Sequence, residues 1–191
     1  SGTWRLGMSE EDVRACMDEA RALARDRGRP EAMAVPLGGM AVDLGVHGRA
    51  QAAVEVAQEA HAMIHDGMNP GDHFYVLCSY AYCVLFVGRL HQAIEAFDHI
   101  IELSGGDPHV GREVISFSPL IFANDFSALA LASAGRFDEC WQRLERAVRL
   151  AREHNLPESL AMAVADVANC AYIARGTSRV PGGELPRVCI E

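Results

Sequence analysis

The sequence predicts an all-α protein in which about eight helices form antiparallel hairpins that stack as a solenoid. A Gly-Arg pair occurs three times, at Gly48, Gly88 and Gly135, with spacings of 40 and 47 residues. A small residue stands seven positions before each of these glycines, and a row of apolar residues follows at helical spacing. The chain therefore repeats one helix-turn-helix unit.

The repeated Gly-Arg pair marks the elbow of each hairpin. The residues 5, 9, 12 and 15 positions after the glycine share one face of a helix. They are Ala53, Ala57, Ala60 and Met63 in the first unit, Ala93, Phe97, Ile100 and Leu103 in the second, and Cys140, Leu144, Ala147 and Leu150 in the third. The small residues seven positions before, Ala41, Ala81 and Ala128, let the two helix axes approach closely. The glycine ends the first helix because it tolerates a left-handed backbone.

The same register predicts where each helix begins and ends. The predicted helices span 9–27, 31–46, 49–66, 72–87, 89–104, 118–134, 136–154 and 157–175. Ser9 is the expected N-cap of the first helix, and Ser118 followed by Pro119 is the expected start of the sixth. Pro36, with two glycines after it, delays or bends the second helix. Gly and Pro clusters at 67–72 and 105–108 break the chain between helices.

The domain organisation follows from this repeat. Residues 1–176 are predicted to form one repeat domain, because the apolar register extends before the first complete unit and after the last. The first and last helices each lack a hairpin partner, so we expect a fragment of a longer array. Residues 177–191 contain two prolines and a Gly-Gly pair and are predicted to be a loop or tail.

The composition argues against binding to nucleic acid or membranes and against an oxidising compartment. The chain has 191 residues, is 50% hydrophobic and carries a formal charge of -9. This charge opposes binding to nucleic acid and to anionic membranes. The six cysteines form no CxxC pair, and no apolar run approaches the length needed to cross a bilayer. We expect a cytoplasmic protein.

The central unit, with Ala81, Gly88, Ala93 and Phe97, resembles the tetratricopeptide repeat (TPR), although the usual period is about 34 residues. The segment from Ala134 through Gly176 is similar to C-terminal repeats of bacterial class III nucleotidyl cyclase proteins with an AAA-type ATPase, and of large LuxR-type ATP-binding regulators. The resemblance implies a right-handed TPR-like solenoid that takes part in signalling or transcription regulation. It assigns no catalytic residue, because the cyclase carboxylate motifs and the phosphate loop are not present in the sequence.

The same resemblance implies that residues on the first helix of a unit face a concave surface. These positions hold aromatic residues and one carboxylate, which suit a groove for a peptide or small ligand. The candidate groove residues are Tyr75, Cys78, Tyr82, Phe86, Phe122, Asn124 and Asp125. The alternative interpretation is that these side chains pack in the core.

Metal and catalytic chemistry have weaker support in the sequence. His61 and His65 lie four residues apart on a predicted helix, but no third ligand is near them in sequence, so no metal or cofactor is predicted. The arginines of the predicted helix 136–154 alternate with glutamates, which favours an ion-paired surface over a phosphate site. No nucleophile motif occurs, and the chain is predicted not to be an enzyme.

The predicted function is therefore a non-catalytic module that binds a protein, a peptide or a small-molecule effector within a larger bacterial regulatory protein. The alternative is a passive scaffold, or a homodimer formed through exposed ends of the repeat array.

Overall fold

The computed structural model describes residues 10–115 and 117–176, and this part of the chain contains helices, turns and loops but no strand. The predicted all-α fold class and the predicted number of helices are confirmed for these residues. The helices are α1 (Glu10–Asp26), α2 (Ala34–Val46), α3 (Ala50–His61), α4 (Pro70–Phe86), α5 (Leu90–Leu103), α6 (Pro119–Ser133), α7 (Phe137–Glu153) and α8 (Pro157–Gly176). The predicted N-cap Ser9 and the predicted tail 177–191 lie outside the described residues.

The three Gly-Arg elbows have nearly the same backbone conformation. Gly48, Gly88 and Gly135 have φ angles of 77°, 74° and 77°, in the left-handed region that glycine tolerates best. At the first elbow the Arg49 N–H donates to the Leu44 carbonyl at 2.9 Å. At the third, Arg136 makes the equivalent bond, also at 2.9 Å. The repeated dipeptide is therefore a helix C-terminal cap, as the sequence predicts.

The apolar register of the repeat matches the core. Ala41, Ala81 and Ala128, the small residues before the elbows, are completely buried. The positions 5, 9 and 12 residues after each Gly-Arg glycine are buried in all three sequence repeats. The last position of the row differs, because Leu103 is 43% exposed at the end of α5 and Met63 lies beyond the end of α3. In the third repeat Leu150 holds the same position and is buried, so all four positions of the row lie in the core there.

The chain divides into two compact units, residues 1–87 and 88–191. In the first unit, α2 and α3 form a hairpin and α4 packs against both of them. Two clusters fill this core, one around Leu37 and Val76 and the other around Ala53 and Cys83. On the surface, the Arg21 guanidinium of α1 donates to the Glu59 carboxylate of α3 at 3.0 Å.

Helix α2 forms despite its proline and its glycine pair. A 3₁₀ turn, Pro30–Met33, precedes it, so the start of the α-helix is delayed as predicted. Pro36 falls in the first turn, where its missing N–H has no helical partner to lose. Gly38 and Gly39 leave room for the Tyr75 ring of α4, which lies against them. The glycines thus serve a close helix contact.

In the second unit, α6 and α7 form a hairpin, and α5 and α8 both pack against α6. Helix α8 also packs against α7, so a hairpin followed by a third helix occurs in both units. Of the 15 residues of α6, 12 are buried, which makes it the central helix of this unit. A cluster of phenylalanine rings, Phe97, Phe117, Phe122 and Phe126, covers one side of it, with neighbouring centroids 4.5 to 6.4 Å apart.

Helix α3 is shorter than predicted, because it ends at His61 rather than near residue 66. His65 lies in the following turn, where its Nδ1 accepts a hydrogen bond from the Gly67 N–H at 3.2 Å. His61 instead packs its ring against Tyr80, with centroids 4.5 Å apart. The two histidines therefore do not share a helix, and the spacing that suggested a metal pair is not realised.

Candidate functional site

The predicted groove residues that belong to the first compact unit, residues 1–87, lie on α4. Tyr75 is half-buried against the glycine pair of α2, and burial raises the pKa of its hydroxyl. Cys78 is 3% exposed, and burial raises the pKa of its thiol well above the usual range. A buried thiol with a raised pKa is a poor nucleophile. These two side chains therefore pack in and around the core of the first unit.

Tyr82 and Phe86 occupy the C-terminal half of the same helix. Their ring centroids are 4.5 Å apart, and the planes meet at 70° in an edge-to-face arrangement. Tyr82 is half-buried, whereas Phe86 is 49% exposed. This aromatic pair is the part of the predicted first-unit set that reaches the protein surface.

The second-unit members of the predicted groove lie in the core. Phe122, Asn124 and Asp125 are 8%, 0% and 1% exposed. Phe122 belongs to the phenylalanine cluster, and Asn124 donates to the Leu120 carbonyl at 2.8 Å within α6. In the described arrangement a ligand does not reach these side chains from solvent. Their participation in one groove with the α4 residues stays a prediction.

Asp125 has an unusual environment for a buried carboxyl group. Neither of its oxygens accepts a hydrogen bond from a donor in the described part of the chain. The Asp166 carboxyl group of α8 lies within hydrogen-bonding reach. Two carboxylates cannot hydrogen-bond each other unless one carries a proton. The pair is therefore built to hold a proton between α6 and α8.

The second carboxyl group of the pair has a donor of its own. Asn169 Nδ2, one turn further along α8, donates to Asp166 Oδ1 at 2.6 Å. Burial raises the pKa of Asp166, while the hydrogen bonds from Asn169 and Asp125 oppose that rise. Burial raises the pKa of Asp125 to about 8, and the charge of Asp166 and the hydrogen bond to it act in the same direction. The shared proton therefore belongs to Asp125.

Two cysteines complete this cluster. Cys140 of α7 and Cys170 of α8 are both completely buried and lie within hydrogen-bonding reach of each other. The hydrogen bond with Cys140 is the main cause that raises the pKa of the Cys170 thiol, followed by burial and by the charges of Cys140, Asp166 and Asp125. Four titratable side chains from three helices thus meet inside the second unit.

Sequence reasoning identified Asp125 but missed the other members as a site. Asp166 and Cys170 are four residues apart on a face of α8 that is otherwise composed of Ser, Ala and Val, and this spacing was the available signal. In the described residues no group of three or more His, Cys, Asp or Glu side chains is arranged to hold a metal ion.

Comparisons with protein-family models, with curated proteins and with solved structures find no match to this chain. None of the described helices combines the length and apolar character that a membrane crossing requires.

Proposed function

We propose that this chain is a non-catalytic, TPR-like helical-repeat module that binds a peptide segment of a partner protein within a larger bacterial signalling or transcription-regulatory protein. The observation that carries this proposal is the repetition of one arrangement, a hairpin followed by a third helix, in both units. Repeat arrays built from stacked hairpins present extended surfaces that serve for binding.

The aromatic pair on α4 is the proposed contact for the peptide. Tyr82 and Phe86 provide a rigid apolar surface with a polar hydroxyl group beside it. Aromatic side chains are common among the residues that dominate binding energy at interfaces. The exposed position of Phe86 gives a partner direct access to this surface.

The buried titratable groups support a non-catalytic role. Cys78 and Cys170 have thiol pKa values raised by their surroundings, so neither is activated as a nucleophile. The carboxyl pair of the second unit lies beneath its packed helices rather than at an open surface. These groups therefore suit structural or regulatory roles.

Selection of peptides from a random library on the purified chain, followed by anisotropy titration of the selected sequences, tests the proposal. We expect Phe86→Ser to weaken binding at least tenfold, equivalent to about 1.4 kcal/mol, because the aromatic contact is lost. Leu103→Ser is the matched control, since Leu103 is similarly exposed at the end of another helix. If the two variants bind with equal affinity and have unchanged melting temperatures, α4 is not part of the binding surface.

The alternative function is an oligomerisation scaffold, and exposed side chains on α8 favour it. Val164 is 39% exposed and Tyr172 is 81% exposed. An exposed apolar patch on a helix of a repeat array is typical of a surface that another helix covers. Sedimentation velocity of the chain and of a Val164→Glu variant distinguishes the two functions. A dimer that the substitution disrupts would support the scaffold, and a monomer at all concentrations would argue against it.

A further inference from the structure

Helix α8 is held in the second unit by an unusual contact surface. Its buried residues are Ser159, Ala163, Asp166, Val167, Cys170, Ala171 and Ala174. Most of these side chains are small, so the helix buries little apolar area per turn when it packs against α6 and α7. Asp166 and Cys170 are in the middle of this surface. The protonation state of the cluster therefore bears directly on the packing of this helix.

A charge on Asp125 has no compensation in the packed structure. Its carboxylate would receive no donor and would lie beside the Asp166 carboxylate, to which Asn169 donates. Burial of an unpaired charge is strongly unfavourable, and a like charge at short range adds to the cost. Separation of α8 from α6 would let water hydrate both carboxylates. Ionisation therefore favours the separated arrangement.

We propose that docking of α8 onto the α6/α7 hairpin is controlled by one proton, which Asp125 and Asp166 share in the docked state and which is released to water when the helix undocks. The docked helix thus binds a proton that the undocked helix does not. This device is independent of the peptide surface on α4, and it adds regulation by pH to the second unit.

The other helices that pack on this region contribute no opposing charge. Helix α7 contributes the thiol of Cys140, and α8 contributes Cys170 and the Asn169 amide beside Asp166. Helix α5 faces α6 through Phe97, while its carboxylate Asp98 accepts a hydrogen bond from Arg143 of α7. No described cation is therefore in position to replace the proton when Asp125 ionises.

Hydrogen exchange of the whole chain, followed by mass spectrometry, tests the proposal. Peptides from α8 are compared at several pH values between 5 and 9, after correction for the intrinsic exchange rate. One linked proton raises the opening constant by about tenfold per pH unit until the docked carboxyl group itself ionises. We expect the protection of the α8 amides to fall by about tenfold per pH unit. This decrease should level off near pH 8, where Asp125 titrates.

The substitution Asp125→Asn provides the decisive comparison, because an amide resembles the protonated carboxyl group in shape and carries no charge. We expect the pH slope of α8 protection to disappear in this variant. Asp138→Asn is the matched control, since Asp138 is exposed on α7, and it should keep the slope of the unaltered chain. Helices α2 to α4 are an internal control, because Ser79 is the buried polar side chain described there and no buried carboxyl group is found among the described residues of that unit.

Two results would overturn the proposal. The first is an equal pH slope in the unaltered chain and in Asp125→Asn. The second is a slope of the same size in α2 to α4, which would indicate a general effect of pH. Carbon-13 NMR of aspartate-labelled protein gives an independent measurement that does not depend on the variants. A chain in which every aspartate carboxyl group titrates below pH 5 would also contradict the shared proton.

Discussion

A β-carbon at Gly39 would lie 3.0 Å from the hydroxyl oxygen of Tyr75. The same ring, together with Ser79, limits the space at Gly38, where a β-carbon would come within 3.2 Å of Ser79 Oγ and 3.3 Å of Tyr75 Cε1. Two adjacent glycines therefore meet different parts of α4. The far end of one ring covers Gly39, and more closely packed atoms cover Gly38.

This difference predicts opposite effects of alanine at the two positions. Either substitution gains about 1 kcal/mol of helix propensity. At Gly39 we expect most of this gain to be kept, because the half-buried Tyr75 ring can move its hydroxyl end away. At Gly38 we expect a net loss of about 1 kcal/mol, because an added methyl group overpacks the buried contact. Urea denaturation of the two variants measures both changes, and equal stabilities would contradict this account of the contact.

The Asp125 carboxyl group predicts how stability depends on pH. Its folded pKa is about 8, above the ordinary value of 3.8. A raised folded pKa stabilises the protein fully below the unfolded pKa, and this contribution is lost as the pH rises through the folded pKa. The difference in unfolding free energy between the unaltered chain and Asp125→Asn should therefore change by up to about 1.4 kcal/mol per pH unit between pH 5 and 8. The variant should be the more stable of the two at pH 8.

Tryptophan fluorescence reports this difference for the second unit. Trp141 lies on α7, and a Trp4→Phe background leaves it as the single tryptophan. The other ionisable groups are common to the two proteins, so the comparison isolates the effect of position 125. Parallel stability curves across this pH range would show that Asp125 is already ionised in the folded protein.

The N-cap of α6 predicts a stability effect at Ser118. Its Oγ accepts a hydrogen bond from the Ile121 N–H at 3.3 Å, and its own N–H donates to Ser159 Oγ of α8 at 3.3 Å. Ser118→Ala should lower the unfolding free energy by about 1 to 2 kcal/mol, because a buried helix N–H loses its acceptor. Ser133→Ala at the exposed end of the same helix should change stability by less than about 0.5 kcal/mol. Thermal unfolding of both variants checks the difference.

The ion pair between Arg143 and Asp98 joins α7 to α5. The arginine side chain is 25% exposed, so the pair is screened less than a fully exposed one. A double-mutant cycle with Arg143→Met and Asp98→Asn should give a coupling energy of about 0.5 to 1 kcal/mol. Arg149 and Glu153 on α7 are the control pair, because they are 3.6 Å apart and more than half exposed. Their coupling should be smaller, and a larger value for the control would contradict this role for burial.

The sequence repeat predicts much of the fold because its residues determine local features, namely helix ends and close helix crossings. Each Gly-Arg pair imposes a helix end, and the small residue before it permits a close helix crossing. These constraints act over a few turns, so a single sequence reveals them. Helix α3 ended early because residues 62–67 form turns, which the apolar spacing alone did not indicate.

The carboxyl pair was less accessible to sequence reasoning. The repeat pattern presents Asp125 as an isolated carboxylate, since its partner Asp166 is 41 residues away and belongs to a helix outside the repeated register. Cys78 precedes Gly88 by the same number of residues as Asp125 precedes Gly135, and both are buried. The repeat thus related the two positions correctly. The contact of Asp125 with Asp166 is a tertiary contact, and a periodic sequence pattern does not predict such contacts.

The boundary between the compact units falls at Val87 and Gly88, at the second of the three Gly-Arg elbows. The compact units therefore do not begin and end where the sequence repeats do, because their boundary falls in the middle of one repeat. An excision that follows the sequence repeats would separate α5 from α6 and would uncover Phe97 and Ile100. Recombination or truncation should therefore preserve folded protein better when it cuts at the Gly88 elbow, between the compact units, than when it cuts between α5 and α6.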